Sequence, residues 1–196
     1  ATRLSQMMGE FDIEDLDALS DYIITTSRNG TIAAISALPK GTWHSTLTVD
    51  GYDAEIELCA ALTIANDHLL VDFTGTDPCT NKGINVPLNY ATAYTVFALR
   101  CIIGPDIPNN AGSLEPFRVT APKGCILNAQ PPVPVAMRHT LGQMTPDLVY
   151  GCLSQALPDI VPAEGASCMY DLPLRHVAEA ADIGHQTFAI ELVFSG

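Results

Sequence analysis

Apolar residues take up helical spacing early in the chain. Leu16, Leu19 and Ile23 share one face, and Asp12, Glu14 and Asp15 place negative charge where a helix macrodipole favours it. The pattern predicts a helix from Asp12. Asn29-Gly30 would normally end it, yet Ile32, Ile35 and Leu38 resume the spacing until Pro39. An interior glycine costs only about 1 kcal/mol, so one long helix weakened near Gly30 is the expectation.

From Thr42 to Phe73 the pattern turns to β. Thr46, Thr48, Val49, Ile56, Leu58, Leu62, Ile64, Leu69, Val71 and Phe73 are broken by two turn signals, Asp50-Gly51 and Asn66-Asp67. A three-stranded antiparallel meander follows. After a loop rich in Gly, Asn and Pro, Pro87 suits the first turn of a helix running to about Ile103. That helix is apolar almost all round, which predicts burial against the sheet.

Gly104 to Ser113 reads as a loop, Phe117 to Ala121 as a short strand, and the segment through Pro131, Pro132 and Pro134 as a second loop. Thr145-Pro146-Asp147 combines an N-cap residue, proline at the first helical position and an acid in the first turn, and Pro158 stops the helix they begin. Ser167 to Leu172 and Thr187 to Phe194 read as strands. The fold class is α+β, an antiparallel β-meander packed against helices. Its parts are a leading helix over 1–41, the meander, buried helix and loops over 42–134, and a helix plus strands over 135–196.

A chain of 196 residues that is 47% hydrophobic can bury a sizeable core. Its net charge of −13 repels phosphate backbones and anionic lipid surfaces, so nucleic acid and membranes are not expected partners. No apolar run approaches the roughly 18 residues of a membrane span. Ala1 to Gly9 has neither the basic flank nor the apolar stretch of a secretory signal, although the missing initiator Met leaves room for one already removed. Cys59, Cys79, Cys101, Cys125, Cys152 and Cys168 show no CxxC spacing, which argues against a zinc site and a redox pair and favours a cytoplasmic setting. His44, His68, His139, His176 and His185 form no H-x-H or H-x-x-x-H pair, so no metal site is expected in this segment.

Candidate chemistry gathers where the third strand ends. Asp72-Phe-Thr-Gly-Thr76 brings a carboxylate, the hydroxyls of Thr74 and Thr76 and the bare backbone of Gly75 to one loop, able to hold an anionic or amide-bearing ligand. The alternative is a set of local turn hydrogen bonds. The loop has neither the lysine nor the spacing of a P-loop. Arg138 and His139 follow the Pro-rich loop and are candidates for the same cavity. For Arg138 an ordinary salt bridge is the somewhat favoured alternative. Asn85, Asn110 and Asn128 stand in loops, where Asn either hydrogen-bonds a ligand or simply suits the turn.

The ordered phrases VDFTGTDPCTNKGINVPLNY, ALRCIIGPDIPNNAG and CILNAQPPVPV resemble the hydantoinase B/oxoprolinase family. The hallmarks matched are V-D-[FL]-[ST]-G-T-x-P-Q, G-x-x-N-x-P, L-R-x-x-x-x-P-D-I-P-x-N-A-G and a Pro pair. Asn85, Asn110 and Asn128 occupy matching loop positions. Upstream, Leu38-Pro-Lys-Gly-Thr42 resembles the family's L-P-x-G turn; downstream, ALPDIVPA and QTFAIELVFSG resemble its next phrases. Cys79 stands where the family usually has Gln, and Met137-Arg-His-Thr140 replaces the commoner Asn-Ala-Gly-Asn phrase, so the substrate class does not carry over.

The resemblance implies an internal segment of the large subunit of an ATP-dependent hydantoinase or 5-oxoprolinase, a larger multidomain protein. The family's metal-binding region would lie upstream and its glycine-rich stretch downstream. It further implies opening of a cyclic amide (a hydantoin, 5-oxoproline or lactam), activated by a hydantoinase A-like, actin-like ATPase partner. A divalent metal and ATP would serve the whole complex, with no cofactor bound by this segment and no catalytic residue assigned. Related acetone and acetophenone carboxylases use the same two-part logic, and a non-catalytic docking or scaffold domain is the remaining alternative.

Overall fold

The computed structural model describes residues 2–163 and 165, together with the backbone course of 169–177 and 187–195. Cys168 and His185 lie outside the described residues. The chain opens with two helices, α1 over Thr2–Glu10 and α2 over Asp17–Ser36, where the sequence predicts one helix from Asp12. The break has a local cause: Asp12 adopts φ 53°, a left-handed conformation that Asp tolerates better than most residues. The backbone N–H groups of Phe11 and Ile13 donate back to Met7 and Met8 and close α1. Asp15 then accepts from the Asp17 N–H at 2.9 Å, and Asp17 is the acid in the first turn of α2. Gly30 lies inside the unbroken α2, as the apolar spacing predicts.

Three strands follow, β1 (Gly41–Val49), β2 (Ile56–Ile64) and β3 (Leu69–Asp72), forming the expected meander. The fourth strand, β4 (Phe117–Thr120), corrects the antiparallel expectation: it runs parallel to β3, from Leu69↔Phe117 to Asp72↔Thr120, so the sheet is mixed. Between β3 and β4 lie α3 (Leu88–Ile102) and the short α4 (Ala111–Leu114). The stretch read as loop from Gly104 thus ends in a helical turn. Asn110 caps it, accepting from the Gly112 and Ser113 N–H groups while the Ser113 hydroxyl accepts from the Asn110 N–H.

Two further helices, α5 (His139–Gly142) and α6 (Thr145–Ala156), precede the antiparallel pair β5 (Met169–Val177) and β6 (Thr187–Ser195). Thr145 does not cap α6 as expected. Because α5 already leads into it, the Thr145 hydroxyl donates back to the Gly142 carbonyl at 2.9 Å, and Met144 takes the cap position without a side-chain bond.

Strict alternation puts Leu58, Leu62, Leu69 and Val71 on the inner face of the sheet, each fully buried. Burying one such side chain contributes about 1.5–3 kcal/mol. Leu148, Val149, Cys152 and Leu153 of α6 cover that face together with Ala91 and Leu99 of α3. Gly151 allows the close approach: a Cβ there would stand 2.2 Å from the Ser45 Oγ on β1. Burial of α3 is one-sided, contrary to expectation. Ala91, Thr95, Ala98 and Leu99 are enclosed, whereas Ala93, Cys101 and Phe97, 63% exposed, form an open stripe. The outer face of the sheet carries Thr46, Cys59, Ala61 and Asp72, with Thr46 opposite Cys59 and Ala61 opposite Asp72. No helix among the described residues is long and apolar enough to cross a membrane.

Candidate functional site

The strand-end loop grows out of β3, where the buried Phe73 ring and its N–H bond to the Thr120 carbonyl anchor the backbone. The chain reverses at Thr74-Gly75: the Thr76 N–H reaches the Phe73 carbonyl at 3.1 Å, and Gly75 takes φ 101°, a region that side chains disfavour. The Thr76 hydroxyl then donates to the Cys59 carbonyl at 3.0 Å and accepts from the Cys59 N–H at 2.9 Å. Asp77 continues this pairing, exchanging bonds with the backbone of Glu57. The loop is thereby stitched to β2 as a strand surrogate. Thr76→Val, which removes both hydroxyl bonds at nearly constant volume, is expected to cost about 1–3 kcal/mol of stability, read from denaturant midpoints.

Asp72 and Thr74 face differently. Asp72 Oδ1 accepts from both the N–H and the hydroxyl of Thr74, at 3.1 and 2.8 Å, and Thr74 is exposed. Cys59 lies under the turn, its Sγ 3.4 Å from where a Gly75 Cβ would be. Burial, and then the nearby carboxylates of Glu57 and Asp77, push its thiol above the ordinary value. A thiol so placed stays protonated at neutral pH, which argues against a thiolate nucleophile here. Cys79 is likewise raised by burial and donates to the Cys125 carbonyl.

Asn85 is fully buried and closes the far end of the same loop. Its amide nitrogen donates to the carbonyls of Thr80, Lys82 and Pro134, and its oxygen accepts from the Thr80 N–H. With the Met137 N–H donating to Gly83, this ties the loop to the segment leading into Arg138. Two pieces are thereby held: the 72–76 turn, with Asp72 bonded to Thr74 and Thr76 to β2, and the 80–85 stretch, which Asn85 joins to the 134–138 segment. The Arg138 guanidinium lies 5.5 Å over the ring of Tyr90, which stacks on Tyr94 at 4.9 Å. His139 follows as the first residue of α5 and is half-buried. Asn110 belongs elsewhere, capping α4 and donating to the Ser27 hydroxyl on α2. Asn128 donates to the Ala121 carbonyl and accepts from Gln130.

Beside the loop opens a cavity of about 310 Å³ that the sequence alone did not reveal. The turn between β1 and β2 supplies Tyr52, Asp53 and Glu55; the strand-end loop supplies Asp77, Cys79 and Lys82. The Lys82 ammonium stands 3.7 Å from Asp53 and 5.8 Å from the Tyr52 ring centre. The walls are mostly apolar, and the Lys82 ammonium, paired with Asp53, is the main polar group at the mouth of the cavity. Asp50-Gly51 marks the turn in the sequence, but nothing local to it signals that it faces Lys82. Among the described residues no group of three or more His, Cys, Asp or Glu side chains could hold a metal ion.

A mixed sheet covered by helices on one face, with a polar loop and cavity at a strand end, defines an α+β segment with a candidate binding site. The chain belongs to the hydantoinase B/oxoprolinase family, whose family model matches residues 1–196. It is similar to the B component of a putative D-/L-hydantoinase of Pseudomonas sp. (strain NS671), 27% identical over 178 residues, covering 83% of this chain and 30% of the relative. It is also 27% identical to a 5-oxoprolinase of Saccharomyces cerevisiae, covering 65% of this chain and 10% of that protein. The chain thus spans under a third of the length of these curated relatives. Its fold resembles an ATP-dependent caprolactamase from Pseudomonas jessenii, with TM-score 0.70, 20% identity and coverage of 80% of this chain and 28% of that one. An acetone carboxylase matches with TM-score 0.72, 16% identity and coverage of 84% and 24%.

Proposed function

We propose that this chain is part of the hydrolytic subunit of an ATP-dependent cyclic amide hydrolase acting on a hydantoin, 5-oxoproline or lactam ring. The family match over residues 1–196 carries this reading. In the scheme, a hydantoinase A-like, actin-like ATPase partner transfers the ATP γ-phosphoryl group to the amide oxygen. The carbonyl carbon is thereby activated toward attack by water. Water adds to the activated carbon and the ring nitrogen leaves with a proton, giving an acyl phosphate, and a second water hydrolyses this to the carboxylate and inorganic phosphate. The described residues offer no donor set for a divalent metal, so no step is assigned through one here.

Within that reaction this chain binds and orients. The loop from Asp72 to Asn85, with Arg138 and His139 beyond it, is our candidate for one wall of the substrate site, with Asp72 and Thr74 as the groups offered to the ring amide. The test is the natural polypeptide assembled with its ATPase subunit and offered each ring with ATP. Ring opening that needs both ATP and the partner is the expected result. Asp72→Asn should lower kcat/KM roughly tenfold or more, about 1.4 kcal/mol, with little change in Tm. Unchanged kcat/KM in that variant would leave this segment a docking scaffold. ATP-dependent consumption of acetone and bicarbonate without ring opening would replace the reading by ketone carboxylation.

A further inference from the structure

The two strands that run parallel end side by side. β3 and β4 are joined through α3 and α4 and pair from Leu69↔Phe117 to Asp72↔Thr120. Leu69, Val71 and Phe117 turn to the core, so the alternate residues Leu70, Asp72, Arg118 and Thr120 turn outward. Asp72 and Thr120 are thus neighbours on the open face of the sheet. They stand at the carboxyl end of both strands, where parallel strands with helical crossovers commonly present groups to a ligand. The backbone beneath them is fixed: the Phe73 N–H donates to the Thr120 carbonyl at 2.9 Å, and the Asn128 amide donates to the following Ala121 carbonyl at 2.8 Å.

The two side chains do not bond each other. Asp72 Oδ1 takes both bonds from Thr74, which orients the carboxylate and leaves Oδ2 without a partner among the described residues. The Thr120 hydroxyl is exposed and likewise makes no bond among them. Paired strands lie about 4.8 Å apart, so an acceptor and a free hydroxyl flank a gap of that order. On its other side Asp72 faces only the methyl group of Ala61 on β2. Arg118 stands beside Leu70 and makes no ion pair with Asp72.

An acceptor beside a donor matches one edge of an amide, and the edge depends on the amide's geometry. In an open chain the trans arrangement sends N–H and C=O to opposite sides. A small ring holds them on the same side, where one can give to a carboxylate while the other takes from a hydroxyl.

We propose that Thr120 is a substrate-binding residue and that Asp72 and Thr120 together read the cis N–H/C=O edge of a ring amide. Asp72 Oδ2 accepts from the ring N–H, and the Thr120 hydroxyl donates to the ring carbonyl, whose second lone pair stays open to the phosphoryl group. The proposal rests on the cyclic amide reading above and deepens it: the pair selects rings with a free N–H over open-chain amides of similar size.

The test measures binding and turnover separately on the natural polypeptide with its ATPase subunit. Ligand-observed NMR follows hydantoin, 5-oxoproline and pyrrolidone, beside N-methylpyrrolidone and the open-chain N-methylacetamide. A free-N–H ring should bind roughly tenfold or more tightly than either control. Thr120→Val should weaken ring binding about three- to tenfold, the loss of one hydrogen bond. Thr120→Ser should restore it, and Tm should not fall, because the fold makes no use of the hydroxyl and valine suits a strand. Asp72→Asn should weaken the free-N–H rings and leave N-methylpyrrolidone unchanged, whereas Thr120→Val should weaken both. Ring binding indifferent to Thr120→Val, open-chain binding as tight as ring binding, or no binding of any free-N–H ring overturns the proposal. A lowered Tm in Thr120→Val with affinity intact also overturns it, since the hydroxyl would then serve the fold. ATP-dependent ring opening whose kcat/KM survives Thr120→Val removes Thr120 and keeps the hydrolase reading. Ring binding that depends on Thr120 without any ring opening keeps the pair and removes the hydrolase reading.

Discussion

Arg100→Met should lower the stability of the folded chain by about 3–5 kcal/mol, among the larger effects a single substitution produces. Arg100 ends α3 with only 7% of its surface exposed. Its Nε donates to Asn109 Oδ1 at 3.3 Å, Nη1 to the Ile103 and Gly104 carbonyls at 3.0 and 2.6 Å, and Nη2 to the Ile107 carbonyl. Burial lowers its pKa, so the charge is held at a desolvation cost. Four oxygen acceptors and the negative end of the helix dipole offset that cost. Methionine fills much of the volume but leaves the carbonyls of the 103–107 turn without their donor. Arg100→Lys supplies a charge without the planar fork and should recover only part of the loss. Denaturant midpoints for both variants, with hydrogen exchange over 103–110, check this. A Met variant within about 0.5 kcal/mol of the parent would mean that water replaces the guanidinium freely.

This arginine also shows where sequence reading stops. It stands within the L-R-x-x-x-x-P-D phrase, and a lone cation ending an apolar helix before a Gly-Pro loop is a legible anomaly. Which carbonyls it gathers is decided by the path of the loop, and Gly104 at φ 62° sets that path. The meander was legible because its two turns are local and its alternation is strict. Register follows from there, Val49 opposite Ile56 and Ile64 opposite Leu69. The parallel pairing of β3 with β4 was not legible. A two-residue period carries no direction, and the partners are separated in sequence by α3 and α4. The expected start of a helix at Asp12 failed for a similar reason: acidic residues before an apolar stripe mark a helix start, but the left-handed turn at Asp12 depends on how α1 closes.

The strand-end loop itself could be located from Asp72-Phe-Thr-Gly-Thr76, because a turn glycine between hydroxyls at the end of a strand is a local signal. Its surroundings could not. Tyr52 and Lys82 lie in different loops and meet only once β2 and β3 have paired. The internal bonding of Thr76 and Asn85 likewise depends on long-range contacts, to Cys59 and Pro134. Both residues draw on one polar side chain to replace missing backbone pairing, which is how a loop can be held rigid enough to present Asp72 and Thr74.

Asn85→Leu is accordingly expected to cost about 3–5 kcal/mol, since one fully buried amide makes four hydrogen bonds. Leucine nearly matches the volume but removes the partner of the Thr80 N–H and of three carbonyls that are only partly open to water, and each group left unsatisfied costs about 1–3 kcal/mol before relaxation. Asn85→Asp separates donor from acceptor: it keeps the oxygen that receives the Thr80 N–H but aims a carboxylate at the carbonyls of Thr80, Lys82 and Pro134. It should therefore be at least as destabilising near neutral pH and should recover as the acid is protonated, because an aspartate surrounded by acceptors is raised in pKa and folds better in its neutral form. The sign follows from proton counting. A carboxyl whose folded pKa exceeds its unfolded value binds more protons when folded, so stability is gained as pH falls toward the unfolded value. A residue whose amide instead served a bound ring would behave otherwise, with Asn85→Leu lowering kcat/KM in the assembled enzyme while its denaturant midpoint stayed in place. Urea unfolding of both variants across acidic to neutral pH, beside turnover of the folded fraction, distinguishes a loop clip from a ligand contact.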